Sequence, residues 1–190
     1  MTCARYTESD SGRIKVVTSA TRPTGASRYI GQHIYETDTD RRLYFDGTGW
    51  IILSEPAQTW AVTSGGITGG SIATTGSTYE RSNGRCRIEC RLTFGAAPSG
   101  LANPTITLPF AVAFLASRQL SFAMYDNAGV QYPGTHAGAV AGGSVVSLYS
   151  VDASVARATN AAITTSSPFS VGSGDVWELT GEYRMNSRYS

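Results

Sequence analysis

Hydrophobic and polar side chains alternate along most of this chain, with the period of two that is typical of β-strands. In the stretch RCRIECRLTF at 85–94, every second side chain from Cys86 to Phe94 is apolar, and the intervening ones are charged or polar. The stretch VWELTGEYRM at 176–185 repeats the pattern, with Trp177, Leu179, Tyr183 and Met185 on its apolar side. Three shorter sets continue it: Ile106, Leu108 and Phe110; Leu120, Phe122 and Met124; Val146 and Leu148. The sequence therefore predicts an all-β protein.

Turn-forming sequences separate these strands: SNG at 82–84, GAAPSG at 95–100, DNAG at 126–129, AGG at 141–143 and GSGD at 172–175. A short strand with one apolar face cannot bury that face alone, so two sheets must pack together. We expect an antiparallel β-sandwich of the jelly-roll type, a head domain that we place at residues 58–190.

Residues 1–57 differ in character and are predicted to form an attachment region. A polar tail and a short strand precede YETDTDRRLYF at 35–45, which is predicted to be a β-hairpin, and DGTGW at 46–50 is a second turn. Such a region holds too little apolar material for a core of its own. Because each large side chain contributes about 1.5–3 kcal/mol when buried, we expect its aromatic residues to pack against copies of the chain. These predicted oligomer or attachment contacts are Tyr29, Tyr35, Tyr44, Phe45, Trp50 and Trp60.

The low charge of the chain also indicates an oligomer. Hydrophobic residues make up 41% of the sequence and charged residues only 15%, so part of the surface is expected to be covered by other chains. The net charge of +1 creates no field that would attract nucleic acid. The N-terminus lacks a signal-peptide pattern, and the longest apolar run, FAVAFLA at 110–116, is too short to span a bilayer. We therefore expect a soluble product made in a cytoplasm.

Asp38, Asp40 and Asp46 could supply oxygen ligands to calcium. The helix-flanked calcium loop, however, requires glycine at its sixth position and glutamate at its twelfth. Counted from Asp38, these positions hold Leu43 and Gly49. A polar turn between two strands is the better interpretation, and no metal is expected.

Enzyme patterns are missing from the sequence. His33 and His136 lie in no nucleophile motif, and the chain has no G-x-S-x-G elbow. The acids Glu89, Glu178 and Glu182 belong to outward faces of predicted strands, whereas a glycosidase needs two acids in a cleft. A small depolymerase or esterase would require acids or a Ser/His pair to converge in one cleft. We expect neither catalysis nor a cofactor.

Cys86 and Cys90 are predicted to be buried free thiols. On one face of a strand they would lie ~13 Å apart, at ~3.3 Å per residue, which is too far for a disulfide.

Two surface features are candidates for recognition. Arg81, Arg85, Arg87 and Arg91 form a stripe that we interpret as a solvated sheet face, with a subunit contact or a patch for anionic sugar or phosphate as alternatives. The stretch MYDNAGVQYPGTH at 124–136 combines aromatic faces with polar tips, as carbohydrate-contacting loops often do, although an ordinary exposed loop is the alternative. The candidate receptor-binding residues are Tyr125, Asp126, Asn127, Tyr132 and His136.

The stretch RPTGASRYIGQHIYETDTDRRLYFDGTGWIIL at 22–53 resembles a motif of tailed-phage tail proteins, tail fibres and other minor virion proteins. The residues that carry the resemblance are Arg22, Pro23, Gly31, Gln32, those from Ile34 to Thr39, Arg41, Tyr44, Asp46, Gly47, Thr48 and Trp50. The segments YERSNGRCRIECRLTFG and FSVGSGDVWELTGEYR are similar to parts of the jelly-roll knobs of such proteins.

This resemblance implies a homotrimeric structural protein of the virion. Its N-terminal region would join other phage tail or capsid proteins, and its head would bind a host surface glycan or protein noncovalently. A head fibre, capsid decoration or connector with a purely structural role is the alternative. No triplet or heptad repeat indicates threefold symmetry, and neither nucleic acid nor membrane insertion is expected.

Overall fold

We describe the fold from a computed structural model, which describes residues 14–113, 120–135, 142–152 and 159–186. Within these ranges the regular structure consists of β-strands and two 3-10 helices, Ser19–Thr21 and Gly25–Ser27, with no α-helix. No described helix is long and apolar enough to cross a membrane. The prediction of an all-β protein with antiparallel sheets is confirmed.

The first four strands form a separate N-terminal sheet. They are β1 (Lys15–Val17), β2 (His33–Glu36), β3 (Arg41–Phe45) and β4 (Trp50–Ser54), in that order across the sheet. β1 runs parallel to β2, whereas β2, β3 and β4 are joined as antiparallel hairpins. One face of the sheet is buried in a hydrophobic cluster of Val17, Ile34, Leu43, Phe45, Trp50 and Ile52.

The N-terminal sheet is larger than the predicted hairpin. Both expected turns are present, and in the second the Asp46 Oδ1 accepts hydrogen bonds from the backbone N–H of Thr48 and Gly49 at 2.8 and 2.9 Å. The expectation that this region has no core of its own is wrong. β1 and β4 contribute side chains such as Val17 and Trp50, which complete one apolar face over the hairpin.

The remaining strands are β5 (Gln58–Thr59), β6 (Thr63–Thr68), β7 (Ser71–Ala73), β8 (Thr78–Ser82), β9 (Arg85–Ala96), β10 (Gly100–Thr107), β11 (Leu120–Tyr125), β12 (Gln131–Thr135), β13 (Val145–Ser147), β14 (Tyr149–Asp152), β15 (Thr159–Ala161) and β16 (Val176–Arg184). A large sheet has the order β15-β14-β12-β11-β16-β9-β8-β5, and β7 also pairs with β9. A small sheet has the order β13-β10-β6. Side chains from both sheets share one buried hydrophobic cluster, as expected of a sandwich.

The sequence periodicity is reproduced in β9 and β16. Burial alternates along β9, and its five inward side chains from Cys86 to Phe94 are almost fully buried. On β16 the ring of Trp177 packs edge-on against those of Phe94 and Phe122, with centroid distances of 4.9 and 5.7 Å. Because both strands lie in the middle of the large sheet, they place the core at its centre.

The N-terminal sheet contacts the sandwich at the turn between β8 and β9. The backbone N–H of Asn83 donates to the Ile52 carbonyl at 3.0 Å, and the Ser82 Oγ donates to the Leu53 carbonyl at 2.9 Å. These contacts join the end of β4 to one end of the large sheet.

Candidate functional site at the distal turns

The turn between β11 and β12 lies at the opposite end of the large sheet from the N-terminal sheet. β9 begins at Arg85, next to the turn that contacts the N-terminal sheet, and runs away from it. At the far end Thr93 is paired with Val176, which is itself paired with Tyr125. The distance from Arg85 to Thr93 is roughly 27 Å at ~3.4 Å per residue. Residues 126–130 therefore belong to the distal end of the sandwich.

Asp126 organises this distal turn. Its Oδ1 accepts hydrogen bonds from the backbone N–H of Ala128 and Val130, at 2.9 and 2.8 Å. The backbone adds bonds from Gly129 N to the Asp126 carbonyl and from Asp126 N to the Val130 carbonyl. Gly129 has a φ of +80°, a conformation that glycine adopts without strain. The Asp126 carboxylate thus shapes the turn through its Oδ1.

Asp175, which the sequence analysis did not single out, ties the distal turn to its neighbour. It is 3% exposed, its Oδ1 accepts from Asn127 N at 2.8 Å, and its Oδ2 accepts from Gly172 N at 2.6 Å. A Cβ at Gly174 would lie 2.7 Å from the Asn127 Oδ1, so the two turns are in close contact. The sequence GSGD predicted a turn at 172–175. The hydrogen bond between Asp175 and Asn127 could not be predicted, because it depends on which strands pair.

The predicted binding residues are only partly brought together. Tyr125, Asp126, Asn127 and Tyr132 are all at the β11–β12 turn, whereas His136 lies outside the described residues. The Tyr132 ring stacks on Phe169, with centroids 4.4 Å apart, and its hydroxyl lies 3.4 Å from the Asp126 Oδ2. Burial and the Asp126 carboxylate raise the pKa of Tyr132. Phe169 was not predicted, because no local pattern pairs it with β12.

The predicted aromatic contacts of the N-terminal region divide into two groups. Phe45 and Trp50 are buried in the N-terminal sheet, and Trp60 is buried in the sandwich. These three side chains are covered within a single chain, so the argument that they need sister copies is wrong for them. Tyr29, Tyr35 and Tyr44 are half-exposed.

The acids of the first hairpins hold the local fold together. Asp38 accepts two hydrogen bonds from Ser19, which lower the pKa of its carboxyl. Asp40 accepts from the Tyr35 hydroxyl at 2.5 Å, and Asp46 shapes its own turn. Within the described ranges, no three His, Cys, Asp or Glu side chains are grouped so that they could hold a metal.

The arginine stripe does not lie on one face. Arg85, Arg87 and Arg91 are exposed and face acids on the outside of the large sheet, at 2.6 Å from Glu182 for Arg85. Arg81 pairs in register with Cys86, whose side chain points into the core. The guanidinium of Arg81 lies 4.7 Å from the centre of the Phe110 ring and forms an ion pair with the buried carboxylate of Glu55. The interpretation as one stripe is wrong for Arg81. The two-residue turn at 83–84 places Arg81 opposite Cys86 on the inward face, whereas Arg85, Arg87 and Arg91 are the outward residues of β9.

The two strand cysteines are buried and free, as predicted. Burial raises the pKa of both the Cys86 and the Cys90 thiol to about 11. Neither has the lowered pKa of a reactive thiol.

Comparisons with protein-family models, with curated proteins and with solved structures give no match for this chain.

Proposed function

We propose that this chain is a bacteriophage virion protein of the tail-fibre or tail-tip type, which attaches the particle to the host surface noncovalently. The observation that carries the proposal is the two-ended arrangement: the N-terminal sheet contacts one end of the large sheet, and the turn at 126–130 lies at the other. A protein mounted by one end and binding with the other needs this separation.

The resemblance at residues 22–53 supports the same proposal. Most residues that carry it have structural roles in the N-terminal sheet. The Arg22 Nε donates to the buried Glu36 carboxylate at 2.5 Å, and the Thr39 Oγ1 donates to the same group at 2.8 Å. Gly31 and Gly47 have φ values of +91° and +99°, which favour glycine. The motif is therefore suited to be a folded mounting unit rather than a site of chemistry.

The partners proposed are other copies of the chain in a homotrimer, neighbouring tail or capsid proteins at the N-terminal sheet, and a host glycan or protein at the distal turns. Several weak contacts per particle would be strengthened by avidity, so no deep pocket is required. The role is noncatalytic.

A purely structural role in a head fibre, decoration or connector is the second candidate. It is favoured by the use of Asp126 and Asp175 oxygens within the distal turns themselves, which leaves fewer polar groups for a receptor.

Location on particles tests the proposal first. Antibodies against the chain, used for gold labelling of intact virions of the phage that encodes it, are expected to mark the tail. Labelling of the head indicates the second candidate, and purified virions without the chain overturn both.

Binding tests the distal turn. Fluorescent full-length protein is expected to stain host cells, and Ala128→Arg, at an exposed position of the turn, is expected to reduce staining at least about tenfold, a change of about 1.4 kcal/mol. Ala57→Arg, at an exposed position beside β5, is the matched control. Equal staining by both variants removes the distal turn from the proposal, and no staining by the wild type favours the structural role.

A further inference from the structure

An apolar groove lies on the solvent face of the N-terminal sheet. It has a volume of about 480 Å³, and the residues that line it include Ile14 and Val16, which are 51% and 65% exposed. Contiguous exposed apolar surface on a protein often marks an interaction site.

The floor of the groove is one row of residues that crosses all four strands. Val16 pairs with Tyr35, Tyr35 with Arg42, and Arg42 with Ser54. The next residues along the chain, Val17 among them, are buried on the other face, so this row faces outward. The groove thus runs across the sheet, with lining residues from β1 to β4.

β1 is the outermost strand, and its outer edge has no strand partner within the described residues. An edge with exposed apolar side chains is a template for pairing with another strand, and proteins normally protect it. Of the three residues of β1, only Lys15 carries a charge that could protect the edge in this way. Strand addition at this edge would cover Ile14 and Val16 together with the backbone groups beside them.

The charges of the groove are balanced. Asp40 and Arg42 both line it, and the Asp40 Oδ1 accepts a hydrogen bond from the Tyr35 hydroxyl. A strongly charged partner of either sign would meet a like charge here. A surface with one acid, one base and two apolar side chains is complementary to another copy of itself, because the acid of one copy can face the base of the next.

We propose that this groove and the open edge of β1 bind a second copy of this chain. The contact uses the solvent face of the N-terminal sheet and leaves the distal turns free. The inference rests on the self-association named in the proposed function, for which it supplies the contact surface, whereas attachment to the host is tested separately by cell staining.

The test is the mass of the full-length protein in solution, measured by light scattering and sedimentation over a range of concentrations. The wild type is expected to form species larger than one chain of 20.1 kDa. Val16→Glu is expected to weaken association at least about tenfold, since it places an acid against the apolar wall. Ile30→Glu is the matched control, because Ile30 is also in the N-terminal region and 69% exposed but does not line the groove.

A second pair of variants tests the charge argument. Arg42→Asp is expected to weaken association, because every copy then carries two acids in the groove. Arg91→Asp, on the outside of the large sheet, makes the same change elsewhere and is expected to leave the mass unchanged. Circular dichroism confirms that each variant remains folded.

The proposal is overturned if the wild type is a monomer at every concentration, which would also remove the homotrimer from the proposed function. It is overturned by itself, with self-association left standing, if the wild type associates but the groove variants and their controls behave alike. It is also overturned if association appears only after deletion of residues 1–13, since the chain's own N-terminal segment would then be the occupant.

Discussion

The carboxylate of Glu55 receives two hydrogen bonds from the guanidinium of Arg81, at 2.5 and 2.9 Å, and is fully buried. Its second oxygen also accepts from the Arg41 Nε at 3.0 Å. Arg41 belongs to the N-terminal sheet and Arg81 to the large sheet of the sandwich, so one carboxylate links the two parts of the chain. The link is specific in geometry, because the contact with Arg81 uses both oxygens.

Glu55→Gln is expected to lower the free energy of unfolding by about 3 kcal/mol, because two largely buried guanidinium groups would lose their counter-charge. Urea unfolding monitored by circular dichroism measures the change. The control is Glu182→Gln, which removes the exposed partner of Arg85 and should cost less than about 1 kcal/mol. A cost for Glu55→Gln as small as that of the control would mean that the link contributes little to stability.

Gly66→Ala is expected to destabilise the protein more than Gly76→Ala. Both glycines have positive φ, at +69° and +85°, so both substitutions carry the strain of about 1–2 kcal/mol for a left-handed residue. A Cβ at Gly66 would additionally lie 2.3 Å from the Ala102 carbonyl oxygen, whereas nothing lies within 4 Å at Gly76. The collision should add about 1–3 kcal/mol. Thermal unfolding of the two variants compares them directly, and equal melting temperatures would contradict the close packing of β6 on β10.

The thiols of Cys86 and Cys90 are expected to react with a disulfide reagent only when the protein unfolds. In a Cys3→Ser background, labelling at pH 8 should be slow in buffer and rapid in urea, since burial raises both pKa values to about 11. Rapid labelling of the native protein would show that β9 is accessible.

Stability is expected to fall in alkali. The folded state favours the neutral thiols, so their contribution is complete below the ordinary pKa of 9.0 and is lost as the pH rises through about 11. Burial also raises the pKa of Tyr183, whose ionisation acts in the same direction. Urea midpoints measured from pH 8 to pH 11 should therefore decrease, and a Cys86→Ala, Cys90→Ala variant should show a smaller decrease. A constant midpoint would be inconsistent with buried, protonated thiols.

Asp175→Asn is expected to loosen the distal turn at a cost of about 1–3 kcal/mol. The NH2 group that replaces one carboxylate oxygen cannot accept a hydrogen bond, so either Asn127 N or Gly172 N loses its acceptor. Hydrogen exchange at the Asn127 amide should become faster. Glu80→Gln, at an exposed position of β8, removes one carboxylate without these bonds and serves as the control. Unchanged exchange at Asn127 would show that the turn is held by its own backbone bonds.

The sequence predicted the strands of the sandwich well where one face is apolar. The alternation is regular along β9 and is interrupted in β16 at Gly181, so the inward residues could be named in advance and are buried as expected. It predicted the hairpins of the N-terminal region for the same reason, together with polar turns rich in aspartate and glycine. The candidate site was located only in part, since Tyr125 and Asp126 were named but Asp175 and Phe169 were not.

Local pattern and turn chemistry determined by themselves that this chain is all-β, which side chains of its long strands face inward, and that Cys86 and Cys90 remain thiols. Only the tertiary structure decided that Arg81 turns inward to Glu55, and that Phe45, Trp50 and Trp60 are covered within one chain. The physical reason is the range of the interactions. Alternation depends on the geometry of one strand, whereas the partner of a buried charge or ring depends on which distant strands are brought beside it.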